Sequence, residues 1–256
     1  MKVLLTNDDG VYAPGLRALW RELRQVADVA VVAPASEQSA VGHSITLLNP
    51  LLVQEVRDEA DFFAYAVEGK PADCVKLGLV HLLDERPDVV ISGINSGSNA
   101  GINVLYSGTV AAAVEGSFFG VTSIAVSLSL PNPTHYARAA RIAVDVVQWI
   151  LSHKPKAGEL FNVNIPDLSG GDPTEVRVVE QGLSFYKECY EARTDPRGRK
   201  YYWLLPDSLG PEGEHESDLH ALAEGCVSVT PLHFDLTDRT RLEAMRRWEW
   251  PKLARR

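Results

Sequence analysis

Apolar residues form short runs that alternate with stretches of helical spacing over the first two thirds of the chain. Such runs precede Asp8 and occupy residues 28–33, 88–92, 122–128 and 161–166. They are too short for useful helices, and continuous apolar runs of this length are typical of strands buried on both faces of a parallel sheet. The pattern therefore predicts at least five buried strands.

Helices are predicted between these strands. Leu16, Leu19, Trp20 and Leu23 follow the spacing i, i+3, i+4 and i+7 behind Pro14, which gives one apolar face. Other predicted helices cover residues 71–80, 107–116 and 135–152, and an irregular hairpin is predicted from residues 45–53 and 62–67. Strands that alternate with helices imply the α/β class, with a Rossmann-like, doubly wound and mostly parallel sheet up to about residue 166.

The chain changes character beyond residue 166. Aromatic residues flank the turn Asp195-Pro196-Arg197-Gly198 within residues 185–203, which predicts a β-hairpin that packs on the body of the protein or on another subunit. A strand at 226–232 and a short helix at 237–248 follow. We expect one domain over residues 1–256: a core, residues 1–166, that carries the site, and then a hairpin, a strand and an extended arm for oligomerisation in residues 167–256.

Composition narrows the class of partner. Of the 256 residues, 45% are hydrophobic and 23% charged, as in an ordinary soluble protein, and the formal charge of −9 argues against a stable nucleic-acid partner. We find no signal peptide and no apolar run long enough to cross a bilayer, so we expect a cytoplasmic protein without a membrane partner. Three cysteines without metal-ligand spacing indicate buried thiols.

Oxygen-bearing side chains follow three of the predicted strands. Asp8 and Asp9 follow the first strand, Ser39 lies in the loop after the second, and Asn95 follows the strand at 88–92. Loops after parallel strands meet at one edge of the sheet, where ligands bind. Oxygen donors of this kind suit Mg²⁺, Mn²⁺ or even Ca²⁺, and a dication removes the repulsion between two adjacent carboxylates. The alternative for Asp8 and Asp9 is a solvated turn that ends in glycine.

A second candidate feature is the start of the helix after Tyr106. Its first turn carries Ser107, Gly108 and Thr109, and the free amides and dipole of a helix N-terminus favour an anion such as phosphate. The alternative is a plain packing helix that Ser107 caps.

Motifs of several other classes are missing from the sequence. No Gly-x-Gly-x-x-Gly follows the first strand, and no P-loop or Gly-x-Ser-x-Gly elbow occurs. A response-regulator receiver domain would need an acceptor aspartate where Ser92 and Gly93 stand, and a haloacid-dehalogenase phosphatase would need two aspartates separated by one residue.

An ordered set of motifs over nearly the whole chain resembles the SurE (survival protein E) family. The motifs are Asn7-Asp8-Asp9-Gly10, Ser39 ahead of Ser44-Ile45-Thr46, Pro71-Ala72-Asp73-Cys74-Val75, Ser92-Gly93-Ile94-Asn95 with Gly97 and Asn99, Tyr106-Ser107-Gly108-Thr109-Val110-Ala111-Ala112, Asn162-Val163-Asn164-Ile165-Pro166 and Ser228-Val229-Thr230-Pro231-Leu232.

The resemblance implies a cytoplasmic, metal-dependent nucleotidase that acts on nucleoside 5′- and 3′-monophosphates, with a swapped C-terminal arm in dimers or tetramers. It implies one divalent cation, held by Asp8, Asp9, Ser39 and Asn95. It also implies a phosphate-side loop at Ser107, Gly108 and Thr109, with Asn95 on the substrate side as well. The chain departs from the family at Lys70, where a threonine is usual, and His43 is a possible substrate contact in a variable part of its loop.

We therefore expect a phosphomonoesterase in which a metal-bound water of lowered pKa attacks phosphorus. Asp8 or Asp9 is the candidate general base, and a phospho-aspartate at Asp8 is the less favoured variant. Two other hypotheses stay open at this point: a nucleotide-binding module without catalysis, and a phosphatase for short polyphosphates or sugar phosphates.

Overall fold

The computed structural model describes residues 1–58, 61–129, 132–183, 189–205 and 216–251. Its strands are β1 (Lys2–Thr6), β2 (Asp28–Pro34), β3 (Val53–Arg57), β4 (Phe63–Val67), β5 (Val89–Ser96), β6 (Thr122–Leu128), β7 (Leu160–Ile165), β8 (Val176–Val178), β9 (Cys189–Thr194), β10 (Lys200–Leu205) and β11 (Val227–Leu232). Its helices are α1 (Pro14–Leu23), α2 (Pro71–Leu77), α3 (Gly108–Phe118), α4 (Tyr136–Ser152), α5 (Asp218–Ala223) and α6 (Arg239–Arg246).

Nine strands form one sheet in the order β3-β4-β2-β1-β5-β6-β7-β11-β8. The six strands from β4 to β7 are all parallel, whereas β3 and β11 are antiparallel to their neighbours β4 and β7. Counted along the chain, the parallel strands have the order 3-2-1-4-5-6 of the doubly wound fold. The prediction of a Rossmann-like, mostly parallel α/β sheet is confirmed.

Helices cover both faces of the sheet. On one face, α1 and α4 pack together, and their side chains Leu16, Leu19 and Val147 join the largest apolar cluster. On the other face, α2 and α3 pack together, and Cys74 and Ala112 join a second cluster. Burial on both faces explains why the central strands carry continuous apolar runs.

Several predicted elements differ in extent. The helix predicted over 71–80 ends at Leu77 and continues as a π-helical turn, Gly78–Leu82. The predicted hairpin from 45–53 and 62–67 exists, but its first strand is Val53–Arg57, because only that segment pairs with β4. Two elements, β8 and α5, are absent from the prediction.

The predicted aromatic hairpin is the pair β9 and β10, which flank the turn at Asp195. Residues 185–188 of the predicted hairpin lie outside the described part of the chain, as do residues 206–215 before α5. The strand predicted at 226–232 is β11, and it extends the main sheet beside β7. The helix predicted at 237–248 is the shorter α6, and its role in an oligomerisation arm stays a prediction.

Candidate active site

A cavity of about 530 Å³ opens beside Asp8 and Asp9 after β1 and Asn95 at the end of β5. The strand order reverses between β1 and β5, which makes this the topological switch point where open α/β sheets bind ligands. Five of the seven predicted site residues line the cavity: Asp8, Asp9, Ser39, Asn95 and Ser107. The fold thus brings sequence-distant side chains together, and their role as ligands stays a prediction.

Asp8 is a buried carboxylate that Thr109 holds in place. The Thr109 hydroxyl donates a hydrogen bond of 2.5 Å to Oδ1 of Asp8. Burial raises the pKa of Asp8 to about 6, although hydrogen bonds from Thr109 oppose the shift. A cation in the cavity would favour the ionised carboxylate, because it compensates for the lost hydration.

Asp9 is fixed from the opposite side. Its Oδ2 accepts a hydrogen bond of 3.0 Å from the backbone N–H of Ser96, the last residue of β5. Burial raises the pKa of Asp9, the Ser96 hydrogen bond opposes the shift, and the negative charge of Glu37 adds to it. The cavity therefore holds adjacent carboxylates whose ionised forms are disfavoured, which is the charge arrangement that a dication relieves.

The loop after β2 brings Ser39 to the cavity. The backbone N–H of Gln38 donates to the carbonyl oxygen of Asp8 at 2.8 Å, so this loop is tied to the end of β1. Ser39 is exposed, and its hydroxyl donates to Glu37. Lys70, the residue that departs from the family pattern, donates from Nζ to Oε1 of Gln38 at 2.7 Å and thus supports the same loop.

Asn95 reaches the cavity through an irregularity in β5. The pairing of β5 with β6 shifts register between Ser92 and Asn95. Gly93 lies in this bulge with a φ of +145°, and a Cβ there would stand 2.2 Å from the Val126 carbonyl oxygen. Bulges re-aim the side chains that follow them. The Asn95 amide nitrogen donates to the Gly97 carbonyl oxygen at 2.7 Å, which leaves the amide oxygen as the donor atom for a cation.

The start of α3 supports Asp8 as well as the cavity. Ser107 lines the cavity and caps the helix, since its Oγ accepts from the Val110 N–H at 3.0 Å. A Cβ on Gly108 would lie 2.8 Å from Cβ and 2.9 Å from Oδ2 of Asp8, so only glycine fits there. Gly108 and Thr109 thus contact Asp8 and are not among the residues that line the cavity. Their predicted contact with phosphate stays a prediction.

The donor set suits a hard cation. Within the described ranges, no group of three or more His, Cys, Asp or Glu residues has the arrangement of a metal site. The predicted ligands in this cavity are two carboxylates and the neutral oxygens of Ser39 and Asn95, and their binding of a cation stays a prediction. Oxygen-only donors of this kind fit Mg²⁺ or Mn²⁺, which complete their shells with water or phosphate.

Sequence reasoning missed several polar residues of the cavity, among them Glu37, Asn103 and Tyr136. Tyr136 is buried at the start of α4, where burial raises its pKa, a hydrogen bond with Ser96 opposes the shift and Asp9 adds to it. No sequence signal marked it, because the helix pattern over 135–152 gave it an ordinary packing role. Glu37 lies two residues before the predicted Ser39 in the same loop, but no feature of the sequence assigns it a role.

His43 lies away from this cavity. Its Nε2 is 2.9 Å from Oε2 of the buried Glu115, which also contacts Lys76 Nζ at 3.3 Å. Burial alone would raise the pKa of Glu115, but the hydrogen bonds from His43 and Lys76 outweigh it, so the pKa is lowered. The His43 ring stacks on Phe118 and lines a separate cavity of about 220 Å³.

The fold and the cavity define an α/β protein of Rossmann-like topology with an acidic, oxygen-lined cleft at its switch point. The family profile described as Survival protein SurE matches residues 3–188. A 5′-nucleotidase SurE from Rhodopirellula baltica is 53% identical over 249 residues, which are 97% of this chain and 98% of the relative. The chain belongs to the SurE family.

Other relatives agree over the same length. A 5′-nucleotidase SurE from Syntrophus aciditrophicus is 44% identical over 96% of this chain and 93% of its own. The crystal structure of the SurE protein from Aquifex aeolicus superimposes with a TM-score of 0.83 at 38% identity, and covers 96% of this chain and 98% of that one. The similarity thus includes the segment beyond residue 188.

Proposed function

We propose that this chain is a metal-dependent phosphomonoesterase that hydrolyses nucleoside 5′-monophosphates, and 3′-monophosphates, to nucleoside and phosphate. The observation that carries the proposal is the convergence of Asp8, Asp9, Ser39 and Asn95 on one cavity at the switch point of the sheet. The relatives named 5′-nucleotidase SurE support the nucleotide as substrate.

One divalent cation, Mg²⁺ or Mn²⁺, is the cofactor we propose, with Asp8, Asp9, Ser39 and Asn95 as ligands. Such a cation neutralises phosphate charge and lowers the pKa of bound water when it is present. A cation suits the two acids on electrostatic grounds, because burial raises the pKa of both carboxyls.

The protein's own groups divide the remaining work. Asp9 lines the cavity with a carboxylate that Ser96 holds by one oxygen, so its other oxygen is the proposed general base for the attacking water. Thr109 keeps Asp8 from rotating away from the cation site. Ser107 and the N-terminus of α3 provide a hydroxyl and a positive dipole end for the phosphate oxygens.

The assembly and location belong to the same proposal. We propose a single domain that forms a homodimer or homotetramer through the β9–β10 hairpin and the C-terminal arm, in the cytoplasm and without a stable nucleic-acid partner. The described residues of β10 are all exposed, which supports a partner surface there. Among the described residues, no helix combines the length and apolar character needed to span a bilayer.

The test is phosphate release from a panel of nucleoside 5′- and 3′-monophosphates with Mg²⁺, Mn²⁺ or EDTA. We expect release that requires metal and falls by about 10³-fold in Asp8→Asn and Asp9→Asn, because each removes charge where the transition state needs it. The matched control is Asp84→Asn, an exposed acid outside the cavity.

The remaining outcomes of this assay would each support one of the alternative hypotheses. Binding of nucleotide and metal without release from any substrate would favour the non-catalytic binding module. Release from short polyphosphates or sugar phosphates alone would favour that second kind of phosphatase. Radiolabelled phosphate trapped on Asp8 would replace direct attack by water with a phospho-aspartate.

A further inference from the structure

The turn over residues 97–101 forms one wall of the cavity. Side chains from distant parts of the sequence form hydrogen bonds with the backbone of this turn. Asn99, which lines the cavity, donates its backbone N–H to Oδ1 of Asn164 at 2.8 Å. Its carbonyl oxygen accepts from Nδ2 of Asn162 at 2.7 Å and from Nδ2 of Asn164 at 3.4 Å. Both backbone groups of Asn99 are thus bound by two amide side chains of β7.

These two asparagines are unusual occupants of their strand. Asn162 and Asn164 are fully buried, and they alternate with Val163 and Ile165, which pack in the main apolar cluster on the other face. A buried amide is costly unless it is hydrogen-bonded. The hydrogen bonds to Asn99 account for polar side chains at positions where a central strand otherwise carries apolar ones.

A second tie fixes the far end of the same turn. The carboxylate of Asp218, fully buried at the start of α5, accepts from the Gly101 N–H at 2.8 Å. The Gln181 side chain donates to the Gly101 carbonyl oxygen at 2.8 Å. The backbone of the turn is therefore bound at Asn99 and at Gly101 by groups that come from residues 162–218.

The four proposed metal ligands are held by other contacts. Thr109 fixes Asp8, the Ser96 N–H fixes Asp9, and the Gln38 N–H ties the Ser39 loop to Asp8. Asn95 is placed by the pairing of β5 with β6, and its tie to the turn is the hydrogen bond from its amide nitrogen to the carbonyl oxygen of Gly97, the first residue of the turn, and not to Asn99 or Gly101. The contacts from β7 thus serve the turn, whereas the ligands depend on β1, β5, β6 and α3.

We propose that Asn162 and Asn164 are positioning residues that set the 97–101 turn for the phosphate of the substrate, independently of the metal. The inference rests on the proposed function, because it assumes that the turn contacts the substrate bound in the cavity. Loss of the Asn164 amide leaves the Asn99 N–H unpaired, and loss of the Asn162 amide leaves the Asn99 carbonyl oxygen with only the longer contact to Asn164. Either change lets the turn move, and a misplacement of about 1 Å costs roughly 10²-fold in a catalysed reaction.

The experiment compares Asn164→Ala, Asn164→Asp and Val163→Ala with the wild type in the full chain. Amide hydrogen exchange at Asn99, Mn²⁺ binding, and binding of inorganic phosphate in saturating Mn²⁺ are measured for each, together with kcat and KM. For Asn164→Ala we expect amide exchange at Asn99 to accelerate at least ~10-fold. Phosphate affinity should fall about 10- to 100-fold, the size of effect that follows when a residue that orients a binding group is removed. Mn²⁺ affinity should stay within about 2-fold.

The other variants separate positioning from simple loss of stability. Asn164→Asp keeps an oxygen for the Asn99 N–H, so it should retain most of the phosphate affinity. Val163→Ala removes packing from the opposite face of the same strand, so it should lower stability without lowering phosphate affinity. If Asn164→Ala does not fold, Asn162→Ala replaces it, because that change removes the donor to the Asn99 carbonyl oxygen and leaves the hydrogen bonds of Asn164 in place.

The inference is overturned if phosphate affinity is unchanged in the alanine variant, if Val163→Ala lowers it equally, or if Mn²⁺ affinity falls in parallel. It is also overturned if the wild type binds no phosphate in Mn²⁺. A wild type that binds phosphate and Mn²⁺ but releases no phosphate from any nucleotide would refute the proposed function alone, since exchange and binding still test the role of the turn.

Discussion

The cavity and the β9–β10 hairpin differ in what holds their side chains. Asp8 is 6% exposed and bound by Thr109, whereas Tyr202 and Trp203 of β10 are 62% and 57% exposed. Within the described ranges, β9 and β10 pair with each other and form no extensive contact with another element. The cavity wall is thus built from packed elements of the chain, while burial of the hairpin's apolar surface by assembly stays a prediction.

Among changes that leave the proposed metal ligands in place, the largest effect should come from adding one methyl group at Gly108, behind Asp8. We predict that Gly108→Ala lowers kcat/KM by about 10²-fold or more, because the new Cβ would stand 2.8 Å from Cβ of Asp8 and displace the carboxylate. Gly170→Ala is the control, since a Cβ there has no neighbour within 4 Å. Equal activity in both variants would contradict the tight packing of Asp8.

The second prediction concerns the stability of the cavity without metal. The pKa of Asp8 is about 6 in the folded protein against an ordinary 3.8, so ionisation above pH 6 destabilises the fold by roughly 2 to 3 kcal/mol. We predict that Asp8→Asn raises the free energy of unfolding by an amount of this order in EDTA at pH 7.5. The gain should shrink as the pH falls from about 6 to 4, because wild-type Asp8 becomes protonated in the folded state, and it should vanish below the ordinary pKa of 3.8, where Asp8 is protonated in both states.

Urea unfolding at pH 7.5 and pH 4.5 measures this effect. Excess Mg²⁺ should reverse the order of stability at pH 7.5, because only the wild type binds the cation tightly. A variant that is no more stable than the wild type in EDTA would show that burial of Asp8 is not costly.

A smaller effect should follow from the hydrogen bond to Asp8. Thr109→Val keeps the shape of the side chain and removes the hydroxyl, so the pKa of Asp8 should rise further. We predict that the acid limb of metal-dependent activity moves to higher pH, with about a 10-fold loss at pH 6 and little loss at pH 8. Thr109→Ser, which keeps the hydroxyl, should leave the limb in place; an unshifted Thr109→Val profile would assign Thr109 a packing role only.

The smallest effect on catalysis should come from the hairpin. We predict that the double change Tyr202→Ser and Trp203→Ser converts the oligomer to smaller species in sedimentation, while kcat per chain changes by less than about 2-fold. The reason is that the side chains on this hairpin are exposed and lie outside the cavity lining. Loss of activity in parallel with assembly would mean that the hairpin completes the site.

The fold could be predicted where burial imposes a simple pattern. β6 is buried along its whole length, and its observed bounds match the predicted run. β8 could not be predicted, because this edge strand has only three residues, its alternation of Val176, Arg177 and Val178 is too short to mark a strand, and both valines are exposed. The bulge at Gly93 was also hidden, since its pairing with β6 involves residues more than 30 positions apart.

The site shows the same limit. Two adjacent acids directly after a buried strand are visible in the sequence, so Asp8 and Asp9 could be assigned to the edge of the sheet where the cavity lies. Thr109 was expected to face phosphate, yet its hydroxyl is used by Asp8, a contact between residues 101 positions apart. Tyr136 reaches the cavity only through the packing of α4 on α1, which the periodicity of α4 does not reveal.

The hydrogen bond between Gly101 and Asp218 has a consequence for the order in which a newly made chain matures. All four proposed metal ligands have been synthesised by residue 95, but Asp218 follows Gly101 by 117 residues. At 5 to 20 residues per second, a ribosome needs about 6 to 23 s to cover that interval. On a nascent chain, the proposed metal ligands are therefore available well before the turn that we propose to face the phosphate is anchored at Gly101.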